Sequence, residues 1–201
     1  MKQAFSSQAP SVPQMVLWMR EFSEMAILDF ILSQQDRIEN VDYKWFWLYN
    51  DNGEALTKSE GSELPRTRMS KIAAPTELAS KTPMLLQRTM ISDNDAGGLP
   101  MYSNFTKKSK MLENLRHIHA DTYTNLMKLN QDLQAKGPIY QGLDQNYGLK
   151  SGVLAMLATN TQLAAGILKA TCEAKKLRFD RTNYKTVLTK GFEEVPAQCA
   201  L

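Results

Sequence analysis

The residues of this chain able to carry acid–base or metal chemistry are few, and none of their spacings completes a site. His117 and His119 are the only histidines. The leucine spacing around them predicts a helix, where residues i and i+2 point to different faces, so the two imidazoles are not expected to share a metal. Glu113 and His117 share a face four residues apart and read as a solvated surface pair. Asp93-Asn94-Asp95 with Gly97-Gly98 has the opening of a calcium loop, but Asn104 stands at the position of the usual closing glutamate and the glycine is displaced, so the stretch reads as a turn. Cys172 and Cys199 lack metal-ligand spacing, and two cysteines suit a reducing compartment or a virion better than a disulfide-stapled secreted domain. There is no phosphate-cradling glycine loop, no zinc-protease helix and no nucleophile elbow. No two carboxylates are brought together by spacing as acid and base. The expectation is a non-catalytic chain with no catalytic residues, no cofactor and no metal site.

The positive signal is electrostatic. The net charge of +3 conceals an asymmetry: ten basic and thirteen acidic residues lie in the first hundred positions, fourteen basic and eight acidic in the remainder. Such halves face different partners, or each other. Lys107, Lys108 and Lys110 stand at the start of one predicted helix, and Lys169, Lys175, Lys176 and Arg178 at the end of another. If the two helices run antiparallel, the clusters meet at one pole as a candidate contact for an acidic partner or a phosphate backbone, with Arg181 and Lys185 as further phosphate contacts. Lysines at a helix N-terminus oppose the macrodipole, by about 0.3 to 1 kcal/mol each, so the first cluster in particular asks for a functional reason.

The elements that would position these residues are mainly helical. At 201 residues the chain is long enough to bury one ordinary core. Residues 1–13 read as an extended arm and 14–201 as a single mainly α domain. Ser11-Val12-Pro13-Gln14 has a capping-box pattern and predicts a helix over 14–38. Its apolar residues go nearly all round, and Trp18, Phe22, Phe30 and Ile31 are the candidate residues for packing against a partner subunit, beside the simpler reading of a central core helix. Aromatic residues from Tyr43 to Tyr49 and the turn signal Asn50-Asp51-Asn52-Gly53 predict a short β-hairpin over 43–57. Its tryptophans are expected to cover the first helix. Residues 58–104, broken by Pro65, Pro75, Pro83, Pro100, Gly61, Gly97 and Gly98, read as irregular, with one or two helical turns capped by Thr82 and carrying Met84, Leu85, Arg88, Met90 and Ile91.

A long antiparallel helical hairpin is expected over 105–179. Leu112, Leu115, Ile118, Thr122, Leu126, Leu129 and Leu133 recur at helical steps until Gly137-Pro138, and Leu154, Leu157, Thr161, Ala164, Leu168 and Thr171 repeat the pattern beyond a glycine-bearing loop. Each arm would span about 45 Å at ~1.5 Å per residue. The tail 180–201 reads as either a strand or a short helix. Ser151–Leu168 carries no charge, but Thr159, Asn160, Thr161 and Gln162 make membrane insertion costly, so a buried helix and no membrane span are expected. Arg20 and Glu21 interrupt the first apolar run, so no signal peptide is expected, and the C-terminus lacks the full prenylation pattern.

Together these features point to a structural or assembly subunit of a larger complex, such as a virion or a secretion or conjugation machine. It would sit in the cytoplasm or a virion and contact other protein subunits as a homo- or hetero-oligomer. The alternative is a small helical subunit that binds a nucleic-acid backbone through the basic pole.

Overall fold

The helix expected from residue 14 begins at Val12 and ends at Leu32 (α1). The computed structural model describes residues 12–35, 37, 41–60, 73–91, 97, 104–183, 187 and 192–199. Most of the expected N-terminal arm, the calcium-like turn at 93–95 and Lys185 lie outside the described residues. The chain divides into two compact units, Met1–Glu21, Asp42–Met90 and Thr182–Glu193 in the first, and Phe22–Val41, Ile91–Arg181 and Glu194–Leu201 in the second.

In the first unit the predicted hairpin forms from β1 (Val41–Asp51) and β2 (Glu54–Ser59), antiparallel, with Trp47 opposite Lys58 and Asp51 opposite Glu54. Its turn needs positive φ at two successive residues. Asn52 has φ 52° and Gly53 φ 88°, and the Gly53 amide donates to Asn50 Oδ1 at 2.9 Å. A third strand, β3 (Met84–Ile91), completes a sheet of order β2-β1-β3. This corrects the helical turns expected at Met84–Ile91. Thr82, expected as an N-cap, instead ends a short 3-10 helix (Thr76–Lys81) with φ 48°, so the chain leaves it extended. A tertiary contact outweighs local propensity here. The buried Gln14 side chain donates to Gln87 O at 2.8 Å and accepts from Gln87 N at 2.7 Å, while Glu21 accepts from Thr89 N at 2.8 Å. One helix turn pair on α1 thus occupies the outer backbone groups of edge strand β3. Leu17, Phe46, Leu48, Leu86 and Val187 form the core beneath.

The second unit overturns the expected mainly α class. The long hairpin over 105–179 does not form; the molecule is a mixed α/β fold with several helices and two three-stranded sheets. The supposed first arm is broken into α2 (Phe105–Lys108), a turn, β4 (His117–His119) and α3 (Ala120–Ala135). After α4 (Pro138–Gln145), α5 (Ser151–Glu173) packs on α3 and leads to β5 (Arg178–Asp180), which pairs parallel with β4; β6 (Glu194–Val195) adds antiparallel to β5. Sixteen and twenty-three residues give α3 and α5 lengths of about 24 and 35 Å, short of the predicted arms. Leu112 and Ile118 fill the same core as Tyr123, Leu126 and Leu168, but from a turn and a strand.

Helix ends in this unit are closed by buried polar side chains. α1 stops at Leu32 rather than at residue 38 because Ser33 turns to φ 54° and the amide of Asn160, from α5, donates to Ile31 O and Ser33 Oγ at 3.1 and 3.0 Å. Asp29, buried on α1, is held by a two-pronged Arg37 guanidinium at 2.8 to 3.1 Å. At the α3–α4 corner the Asp132 carboxylate accepts from the amides of Ile139 and Tyr140, and a Cβ on Gly137 would lie 2.5 Å from it, so a larger residue there would have to displace this cap. Cys172 and Cys199 form a disulfide, Cα atoms 5.7 Å apart, closing a loop of 27 residues. Nothing in the spacing of the two cysteines signals that they pair. A loop of this length removes roughly 3.5 kcal/mol of unfolded-chain entropy.

Candidate functional site

The polar residues singled out at the centre of the chain come together on the small sheet of the second unit. In β4, Ile118 faces the core with its register partner Phe179, while His117 and His119 lie on the opposite face, to which Asp180 also belongs. The strand therefore reverses the helical expectation, since residues two apart on a strand share a face. All three are buried, with Asp180 fully enclosed. His117 Nε2 stands 2.7 Å from Asp180 Oδ2, which gives each of these two enclosed polar groups a close polar neighbour.

His119 does different work. Its Nδ1 accepts from the Asp121 amide at 3.3 Å, making the imidazole the N-cap of α3. With Nδ1 accepting, a neutral ring carries its proton on Nε2, and that atom is buried with no partner among the described residues. It offers no lone pair to a metal in this arrangement. Among the described residues no three His, Cys, Asp or Glu side chains converge on a metal position. Sharing a face is thus not enough, because each histidine is committed to its own partner.

A cavity of about 150 Å³ opens at the start of α3. It is lined by Ala120, Asp121, Tyr123 and Thr124 from α3, Phe179 and Arg181 from β5 and just beyond it, and Val195, Pro196 and Gln198 from the C-terminal segment. Tyr123 and Phe179 meet edge to face, centroids 5.1 Å apart, and the Tyr123 hydroxyl donates to Cys199 O at 3.2 Å. Burial, with the charge of Glu173 adding, holds the Tyr123 phenol above the ordinary tyrosine range. The His117–Asp180 pair does not line this cavity. An imidazole oriented by a carboxylate is half of a general-base arrangement, but here it is a buried brace between strands.

The seven predicted cations are all exposed. Lys107 and Lys108 lie on α2, Lys110 in the turn after it, Lys169 near the end of α5, Lys175 and Lys176 in the turn before β5, and Arg178 on β5. The parallel pairing makes both clusters precede strands that enter the sheet from the same end. Arg116, which the sequence reading passed over, is drawn into this group, since the Arg178 amide donates to Arg116 O at 2.9 Å. Of the residues expected to meet a partner, Phe30 and Ile31 are buried in the second unit's own core, Trp18 is buried and Phe22 half-buried. The chain itself covers Trp18, Phe30 and Ile31. In the first unit, the exposed pair Lys58 and Glu77 shift each other through a direct hydrogen bond, the lysine upward and the carboxylate downward.

α5 is the one helix among the described residues long and apolar enough to cross a membrane by length and composition, and it packs through Leu154, Leu157, Ala164 and Leu168 instead on this unit's interior. Its outer face is unusual. Gly152, Ala155, Thr159, Gln162, Leu163 and Gly166 are exposed at helical spacing, and no charge occurs from Ser151 to Leu168. A Cβ added to Gly152 or Gly166 would meet nothing within 4 Å. Comparison with protein-family models, with curated proteins and with solved structures finds no match.

Proposed function

We propose that the chain is a non-catalytic structural subunit that assembles with other protein subunits through the outer face of α5. The observation carrying this reading is the exposed, uncharged stripe from Gly152 to Gly166. A glycine inside a helix costs about 1 kcal/mol relative to alanine, and Gly166 has no packing reason for it within its own unit. A low, uncharged helix surface suits close approach by another helix. The partner is either another copy or a different subunit of a multiprotein complex, such as a virion or a secretion or conjugation machine. Of the cytoplasmic and particle settings, the Cys172–Cys199 disulfide favours a particle outside the reducing cytosol.

Size-exclusion chromatography with light scattering tests the proposal. The wild-type chain, alone or with its co-purifying components, elutes as an assembly, and Ala155→Arg with Gly166→Arg releases a folded monomer. A compact monomer that recruits no component overturns the reading.

A second reading is favoured by one observation, the exposed Lys175, Lys176 and Arg178 with Arg116 at the entry to β4 and β5. A phosphate backbone bound there would be held without sequence preference, and affinity would fall steeply with salt. Replacing Lys107, Lys108, Lys175 and Lys176 by glutamate abolishes such binding; affinity that does not change with salt rules it out.

A further inference from the structure

Residues 194–199 form a strap whose main attachments lie at its two ends. Its first residues pair as β6 with β5, Cys199 O accepts from the Tyr123 hydroxyl, and Cys199 is bonded to Cys172 on the last turn of α5. Between these fixings Val195, Pro196 and Gln198 make one wall of the 150 Å³ cavity. Among the described residues the noncovalent attachments are slight: two paired residues in β6, the partial packing of Val195 and Cys199 on the core, an exposed Arg178–Glu194 approach at 3.9 Å and one hydrogen bond at 3.2 Å. Two-residue pairing, one half-buried valine, an exposed ion pair and a single neutral bond hold six residues only weakly against their conformational entropy. The covalent link holds the wall.

We propose that the Cys172–Cys199 disulfide is a redox latch, and that its reduction frees the strap and opens the cavity beside Tyr123. The two sulfurs differ in access. Cys172 is 1% exposed, whereas Cys199 is half-buried at the surface end. A dithiol reductant therefore attacks Cys199 Sγ as a thiolate, and Cys172 leaves as a thiolate and takes a proton. The second thiol of the reductant then displaces Cys199, leaving two protein thiols and one reductant disulfide. Cys172 stays packed among Leu168, Leu177 and their neighbours in the core, so the helix end keeps its cover while the strap loses its tether.

Amide hydrogen exchange on the full-length chain, with and without dithiothreitol under native conditions, tests this. On reduction the amides of Val195 and Gln198 exchange about tenfold faster or more, while those of α3 and α5 keep their protection. Ionisation of Tyr123, read at 295 nm against Tyr123→Phe, moves down towards the ordinary tyrosine range as its cover is lost. Cys199→Ser, which leaves Cys172 in place, shows the fast strap without reductant and no further response to it. Unchanged strap exchange on reduction overturns the latch. Equal acceleration across α3, α5 and the strap also overturns it, since the bond would then be a staple for the whole unit.

Discussion

The two three-stranded sheets of this molecule are built by opposite means. In the first unit β1, β2 and β3 have eleven, six and eight residues, and the hairpin register follows from its turn. In the second, β4, β5 and β6 have three, three and two residues, and they are far apart in sequence. The first sheet is held by many backbone pairings between neighbours in sequence, with Gln14 and Glu21 covering its edge. The second has too few pairings to hold itself and depends on side chains far apart in sequence, His117 with Asp180 and Cys172 with Cys199. A sheet rich in local pairing tolerates loss of any one contact, whereas a sheet of three-residue strands concentrates its stability in a few groups.

The comparison breaks most sharply at Asp180. Asp180→Ala leaves His117 without its close polar neighbour inside the second unit, and leaving a buried polar group unpaired costs about 1 to 3 kcal/mol, with the upper end expected for so enclosed a contact. Exchange-resolved urea unfolding locates the loss. Amides of β4, β5 and α3 lose protection first, while β1 and β2 are little changed. A cost below about 1 kcal/mol would mean that the apolar face, Ile118 against Phe179, carries the strand pair instead.

The same contrast explains which parts were legible in the sequence. The hairpin was readable because Asn50, Asn52 and Gly53 encode the turn locally, and α1 because its cap and apolar run are continuous. Residues 112–118 were misread because Leu112, Leu115 and Ile118 keep helical spacing although a turn and a strand deliver them to the core. Period-two alternation in His117-Ile118-His119 was the available signal, but three residues are too few to outweigh the longer pattern. β3 was misread for a similar reason, since Gln14, seventy-three residues away, decides that Gln87 is extended. Of the candidate site, the exposure of the cations was legible; the disulfide, the N-capping role of His119 and the Asp180 pairing were not, because each depends on a contact that only the folded chain brings together.

Gln14→Ala asks the complementary question of the first unit. It removes both partners of the Gln87 backbone groups at the edge of β3, at a cost of about 1 to 3 kcal/mol. The hairpin register should survive, because the β1–β2 pairing does not use Gln14. Exchange should quicken at Gln87 and Thr89 and stay slow at Trp47 and Leu48. If β1 opened together with β3, the first sheet would be as concentrated in its support as the second.

The smallest effect comes from Tyr123→Phe, which tests how the second unit's cover responds to pH. At neutral pH the substitution removes one hydrogen bond, Tyr123 to Cys199 O, worth about 1 kcal/mol. Because burial raises the phenol's folded-state pKa, the folded chain holds that proton more tightly than the unfolded chain does. The resulting stabilisation is fully present below the unfolded tyrosine value, about 10, and is lost as pH rises through the higher folded value. The phenylalanine variant has no such proton to lose. Urea midpoints measured at pH 8 and again above pH 10 should therefore fall further for the wild type than for Tyr123→Phe, narrowing or reversing the wild type's advantage. Parallel falls in the two proteins would mean that the ring ionises as freely in the folded unit as in the unfolded chain, and that the strap over it is already loose with its disulfide intact.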